Sequence, residues 1–176
     1  YFEHPDYVPL ARDAFQGWER LESETGRRCL ERCGVLLTGG PKSEVLRESL
    51  SAAARHGIVA EEIEPDDLRR RWPMFDVPDD HRGLFEPDAG FVVPETGVAA
   101  HLEVARRHGA RILTGLEVRA IEEGEGGPVV ICDGRRLEAS AVIVTAGAWT
   151  RRLLPELSSA SLEPQRKVIV WCDSTE

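Results

Sequence analysis

The stretch Ala141-Val142-Ile143-Val144-Thr145-Ala146-Gly147-Ala148-Trp149 has the pattern of a buried strand that stops at a small-residue turn and enters a helix. Four apolar residues in a row, three of them β-branched, suit a central parallel strand covered on both faces. The small residues that follow let the backbone turn sharply and let a ligand approach its amides. In open α/β sheets, ligands sit at the carboxyl ends of strands, where such turns lie. The stretch also reads as an ordinary strand-to-helix turn whose small residues serve packing.

Upstream of it the pattern is strand-rich. Strands are expected at residues 112–114, 118–121, 129–132 and 141–144, with turns at Gly124-Glu125-Gly126-Gly127-Pro128 and Asp133-Gly134. This predicts a β-meander between two strands of a larger sheet. Before it, Pro94-Glu95 opens a helix reaching about His108, with Val98, Leu102 and Ala105 on one face. Gly83 to Val93 reads as two short strands around a Pro-Asp-Ala-Gly turn. There Glu86 and Asp88 suit turn stabilisation better than acid–base work.

The first third alternates helices and strands. Leu10, Ala14, Phe15, Trp18 and Leu21 predict a helix over residues 7–25, closed by Gly26. A strand follows at 33–38, then a helix led by Ser43 and ended at Gly57, an extended piece at 58–63, and a helix from Pro65 that stops at Trp72-Pro73. Such an alternation with an inserted meander predicts a mixed α/β (α+β) nucleotide-type fold. Neither G-x-G-x-x-G after a strand nor G-x-x-x-x-G-K-[ST] is present; Gly124, Gly126 and Gly127 fall inside a hairpin.

Composition narrows the class. The chain has 176 residues, 41% hydrophobic and 30% charged, with a formal net charge of -9. That balance fits a globular domain or two small lobes and argues against a nucleic-acid partner. Arg69-Arg70-Arg71 and Arg106-Arg107-His108 read as solvated faces of helices. No stretch approaches the ~20 apolar residues of a membrane helix, so no membrane role is expected. Cys29, Cys33, Cys132 and Cys172 form no CxxC pair and the five histidines do not cluster, which predicts no metal and reduced thiols in a cytoplasmic protein. The chain opens on Tyr1 without an initiator methionine and stops at Glu176 just after Val168-Ile169-Val170-Trp171, an expected strand. Both ends read as internal to a longer enzyme.

The order Tyr7-Val8-Pro9-Leu10, Gly34-Val35-Leu36, Arg71-Trp72-Pro73, Phe85-Glu86-Pro87-Asp88-Ala89-Gly90 and Gly147-Ala148-Trp149 resembles the monomeric sarcosine oxidase and N-methyltryptophan oxidase group. That group belongs to the D-amino-acid-oxidase-like flavoenzymes, and the resemblance runs over essentially the whole chain. It implies an internal piece of a two-lobed enzyme: a partial FAD-binding lobe carrying the β-meander, and part of an antiparallel-sheet substrate lobe. On that reading, residues 1–30 hold a helix linking the lobes, and residues 31–93 part of the substrate lobe. Residues 94–154 hold part of the FAD lobe, and residues 155–176 a return strand of the substrate lobe.

The resemblance also implies site residues. Val118 matches the position whose backbone meets the adenine edge. Thr145, Ala146 and Gly147 match the turn near the FAD pyrophosphate and ribose, with Trp149 packing close by. Residues 1–4 match the start of a loop near the substrate, where Tyr1 or His4 faces either the flavin or solvent. The Rossmann motif and most substrate-touching residues would lie in flanking segments of the same chain, so no catalytic residue is assigned. The implied activity is FAD-dependent oxidation of a secondary or N-methyl amino acid, with flavin reduction and release of hydrogen peroxide. A dehydrogenase of the same fold, or a stand-alone binding module, remains the alternative.

Overall fold

In a computed structural model of the chain, residues 6–155, 163–166 and 168–170 are described. Helix α1 (Tyr7–Thr25) ends on Gly26, whose N–H donates to the Glu22 carbonyl. Its inward stripe runs through Val8, Ala11, Phe15, Trp18 and Leu21. Leu10 (61% exposed) and Ala14 lie outside that stripe, contrary to the expected face. Val8 takes their place because its three- and four-residue steps to Ala11 and Phe15 keep to one side of a 3.6-residue turn.

Helix α4 (Pro94–Arg107) packs against α1. Its buried face is Gly97 and Ala100 rather than Val98, which is 59% exposed. Small residues make room there: a Cβ on Gly97 would lie 3.1 Å from the Trp18 ring, a tight contact, and that ring also meets His101 edge-on with centroids 5.5 Å apart. Leu21, Cys29 and Ala100 close this cluster, with Trp18 and Val104 against it.

Glu22 fixes the exit from α1. Its Oε1 accepts the Cys29 and Leu30 amides at 2.6 and 2.7 Å, where the chain turns into strand β1 (Leu30–Arg32). The Leu30 amide, then that of Cys29, hold the Glu22 carboxyl below the usual carboxylate range. Strand β1 pairs antiparallel with β5 (Gly90–Val92). At their closest point a Cβ on Gly90 would stand 2.0 Å from the Glu31 carbonyl oxygen, so the last residue of Glu86-Pro87-Asp88-Ala89-Gly90 must be glycine.

A three-stranded antiparallel sheet follows in the order β2-β4-β3, from β2 (Val35–Gly39), β3 (Glu61–Ile63) and β4 (Arg82–Glu86). The two strands expected around the Pro-Asp-Ala-Gly turn therefore join different sheets: β4 pairs with β2 and β3, while β5 pairs with β1. Helix α2 (Glu44–His56), with Ser43 accepting the Leu46 amide, buries Leu46, Ser49, Ala52 and Ala53. Helix α3 (Pro65–Arg71) drives Leu68 into Ile63 and Val77, with Leu36, Trp72 and Phe85 around them. Each fully buried aliphatic side chain of this kind contributes about 1.5–3 kcal/mol. Arg69 does more than face solvent: it bonds the Val77 carbonyl at 3.2 Å and Asp79 at 2.8 Å, pinning the loop after α3.

The chain divides into two compact units, residues 1–112 and 113–176. The second contains the meander β6-β7-β8, formed by β6 (Val118–Gly124), β7 (Gly127–Cys132) and β8 (Arg135–Glu138). The sequence pattern hides β8, since Arg135-Arg136-Leu137-Glu138 is exposed throughout and carries no alternation. A short 3-10 turn at Gly147–Trp149 and helix α5 (Thr150–Leu153) follow. A mixed α/β chain with antiparallel sheets is thus what forms.

Three expected strands do not. Residues 112–114, 141–144 and 168–170 pair with no strand among the described residues. Ile143 stands 88% exposed, and Val168, Ile169 and Val170 are 79%, 79% and 73% exposed. A hairpin supplies its own ladder, whereas a parallel or return strand needs neighbours distant in sequence, and no described segment provides them. Trp171, Cys172 and the Tyr1–His4 loop lie outside the described residues.

Two measurements check this packing. Gly90→Ala should cost about 1–3 kcal/mol in urea unfolding through its backbone clash. Gly126→Ala, with nothing within 4 Å of the added Cβ, should stay within about 0.5 kcal/mol of wild type. For Glu22, the lowered folded pKa makes its stabilisation full above the ordinary carboxylate range and lost as pH falls through the folded value. Glu22→Gln should therefore be less stable than wild type by about 1–3 kcal/mol at neutral pH, with the gap closing on acidification.

Candidate cofactor-binding site

The β6–β7 pairing is irregular where it begins. Val118 lies opposite Cys132 and Ala120 opposite Ile131, so Arg119 bulges out of register. Bulges of this kind bend a strand and re-aim its side chains, and they are frequent beside binding sites. The bulge is braced by one carboxylate. Asp133 Oδ2 accepts the Glu117 amide at 2.8 Å, and its Oδ1 accepts from the Arg119 guanidinium at 3.1 Å. The Glu117 amide first, then Arg119, lower the Asp133 pKa and keep the group ionised.

Helix α5 packs on β6. Arg152 donates to Glu117 Oε1 at 2.7 Å, and Arg119 lies 3.2 Å from Glu117 Oε2, so the Glu117 charge is neutralised at the rim. Between β6 and the 3-10 turn opens a pocket of about 420 Å³, lined by Glu117, Val118, Ala146, Trp149, Arg152 and Leu153. That volume is in the range of small-molecule sites.

Three of the five residues expected at a cofactor thus share one pocket: Val118, Ala146 and Trp149. Thr145 and Gly147 flank Ala146 in the chain without lining it. Gly147 has φ +53 and nothing within 4 Å of a built Cβ, so this turn offers its backbone without steric cover. Trp149 is 68% exposed, an aromatic face open to a planar ligand. Sequence reading missed Glu117, Arg152 and Leu153. Arg152 was findable, since it lies three residues beyond Trp149 and so on the same side of a helical turn.

The first unit has a larger cleft of about 610 Å³ between α1 and the sheet, floored by Val35, Leu37 and Leu84. None of the five residues expected at the cofactor lines it, whereas Glu86 and Asp88, expected to stabilise a turn, do. Cys29, Cys33 and Cys132 carry free thiols, and the described residues contain no group of three or more metal-ligating side chains. No described helix is long and apolar enough to cross a membrane.

The FAD dependent oxidoreductase (DAO) family model matches residues 1–175. The chain belongs to this family. It is 33% identical over 171 residues to the N-methyl-L-tryptophan oxidase of Yersinia pestis (strain Pestoides F), covering 97% of this chain and 45% of that protein. The chain therefore spans a little under half the length of the curated relatives it matches. Among solved structures, it superposes on NikD, an unusual amino acid oxidase essential for nikkomycin biosynthesis, with a TM-score of 0.76 at 24% identity. That match covers 86% of this chain and 40% of NikD. Glycine oxidase from Geobacillus kaustophilus gives 0.70 at 23% identity, over 86% and 42% of the two chains. These likenesses show that the fold is that of the amino-acid-oxidising flavoenzymes.

Proposed function

We propose that the chain is part of an FAD-dependent amine oxidoreductase that acts on a secondary or N-methyl amino acid, and that the pocket beside β6 receives the adenosine end of the cofactor. The observation that carries this reading is the meeting of Val118 with Ala146 and Trp149, from a turn distant in sequence, on one pocket. The 33% identity to N-methyl-L-tryptophan oxidases over nearly the whole chain supports the substrate class.

The residues present suit such a ligand. A nucleoside needs a slot with apolar walls and fixed main-chain donors and acceptors at its edge. In this reading the braced backbone around Val118 and the open turn at Gly147 would supply them, and the Trp149 ring would offer a surface for stacking. Thr145 and Gly147 would lie along the phosphate and ribose side of the same ligand. When bound, FAD supplies the two-electron acceptor for amine oxidation, and the protein contributes binding, orientation and electrostatics.

No residue of this chain is assigned to the reacting centre. The flanking segments of the same polypeptide would complete the sheet beside residues 141–144 and contact the amino-acid substrate. A cytoplasmic setting belongs to the same proposal, and the free thiols of Cys29, Cys33 and Cys132 are consistent with it.

The test is the visible spectrum of the complete protein, before and after anaerobic addition of N-methyl-L-tryptophan or sarcosine. Flavin bands that bleach with one of these amines are expected. A colourless protein that cannot be loaded with FAD would contradict the reading.

A further inference from the structure

We propose that Asp133 is a positioning residue for the cofactor, fixing the main chain of residues 117–119 where Val118 meets the pocket. The inference rests on the reading of that pocket as the adenosine site. Asp133 itself does not line the pocket, and it touches the ligand only through the strand it holds.

Three observations converge on this residue. Its two carboxylate oxygens hold the residues on both sides of Val118, accepting from the Glu117 main-chain amide at 2.8 Å and from the Arg119 side-chain guanidinium at 3.1 Å. The gripped segment is the bulged one, where the β6–β7 ladder cannot set the backbone by itself. Among the described residues, Asp133 is also the one non-glycine with positive φ, at 40°. The two-residue hairpin turn explains only part of that choice, because asparagine or glycine serves the same backbone as well or better. What distinguishes aspartate is a pair of acceptors carrying a negative charge, and both are in use.

The chain of contacts continues across the pocket. The Glu117 backbone is held by Asp133 while its side chain is held by Arg152 of α5, the helix that follows Trp149. One carboxylate thus braces the β6 wall, and through Glu117 that wall is tied to the residue on the opposite wall. A fixed backbone edge binds a planar ligand without first losing conformational freedom, which is why such bracing reads out as affinity.

The test compares wild type, Asp133→Asn and Asp133→Gly in the complete protein. FAD and ADP dissociation constants are measured alongside the urea midpoint of the apoprotein. Asp133→Gly keeps the turn and removes both contacts, so FAD and ADP should each bind about tenfold more weakly with the midpoint little changed. Asp133→Asn retains one acceptor for the Glu117 amide and should fall between the two, and it carries the comparison if the glycine variant does not fold. Wild-type affinity in the variants, or weakening that only follows a lowered midpoint, would overturn the role of Asp133. A wild-type protein that binds neither FAD nor ADP would instead overturn the reading of the pocket, and the inference with it.

Discussion

Where the chain leaves a helix or enters a strand its amides need acceptors, and in each unit a side-chain carboxylate supplies them. Glu22 receives the Cys29 and Leu30 amides and turns the chain from α1 into β1. This seats Cys29, with no exposed surface, between α1 and α4, and it sets β1 where β5 can pair with it. Asp133 receives the Glu117 amide and starts β6 beside the pocket. Both carboxylates are stabilised in their charged form by those same N–H groups. Losing Glu22 would leave two part-buried amides without their acceptor, whereas losing Asp133 would release the exposed Glu117 amide to water and free the start of β6.

The functional consequence follows from the second of these. A pocket built from one strand and one helical turn is only as well defined as the joint between them. Here the joint is polar: Asp133 to Glu117, and Glu117 to Arg152. The walls are apolar, with Val118, Ala146, Trp149 and Leu153 facing the space. Polar groups hold the frame and apolar ones make up most of the lining, which in the proposed reading suits a flat, largely uncharged body such as a nucleobase. The uncovered Gly147 turn lies next in the chain, where a charged tail can run past main-chain N–H groups.

Local signals in the sequence were sound wherever a segment completes its own hydrogen bonding. The Gly26 and Gly57 helix ends, the Ser43 cap and the stop at Trp72-Pro73 all form as their residue types require. The hairpin turns at Glu125-Gly126 and Asp133-Gly134 form for the same reason. The failures share a cause. Residues 112–114, 141–144 and 168–170 have strand composition but depend on neighbours that no described segment supplies, so composition alone could not form them. The face misread on α4 turned on close helix contact, which selects Gly97 and Ala100 over the larger Val98. At the pocket, Val118, Ala146 and Trp149 were legible through the family pattern. Glu117 and the brace at Asp133 were not, because they act through side-chain hydrogen bonds that span 14 to 35 positions of sequence.

The most direct measurement is a titration of the isotopically labelled complete protein with ADP, followed through its backbone amide resonances. ADP carries the adenosine and phosphates without the flavin ring, so it reports on this pocket apart from any chemistry. The account predicts that shifts concentrate at Val118, Ala146 and Gly147 and at the Trp149 indole. Saturable binding of ADP that leaves all four unmoved would contradict it.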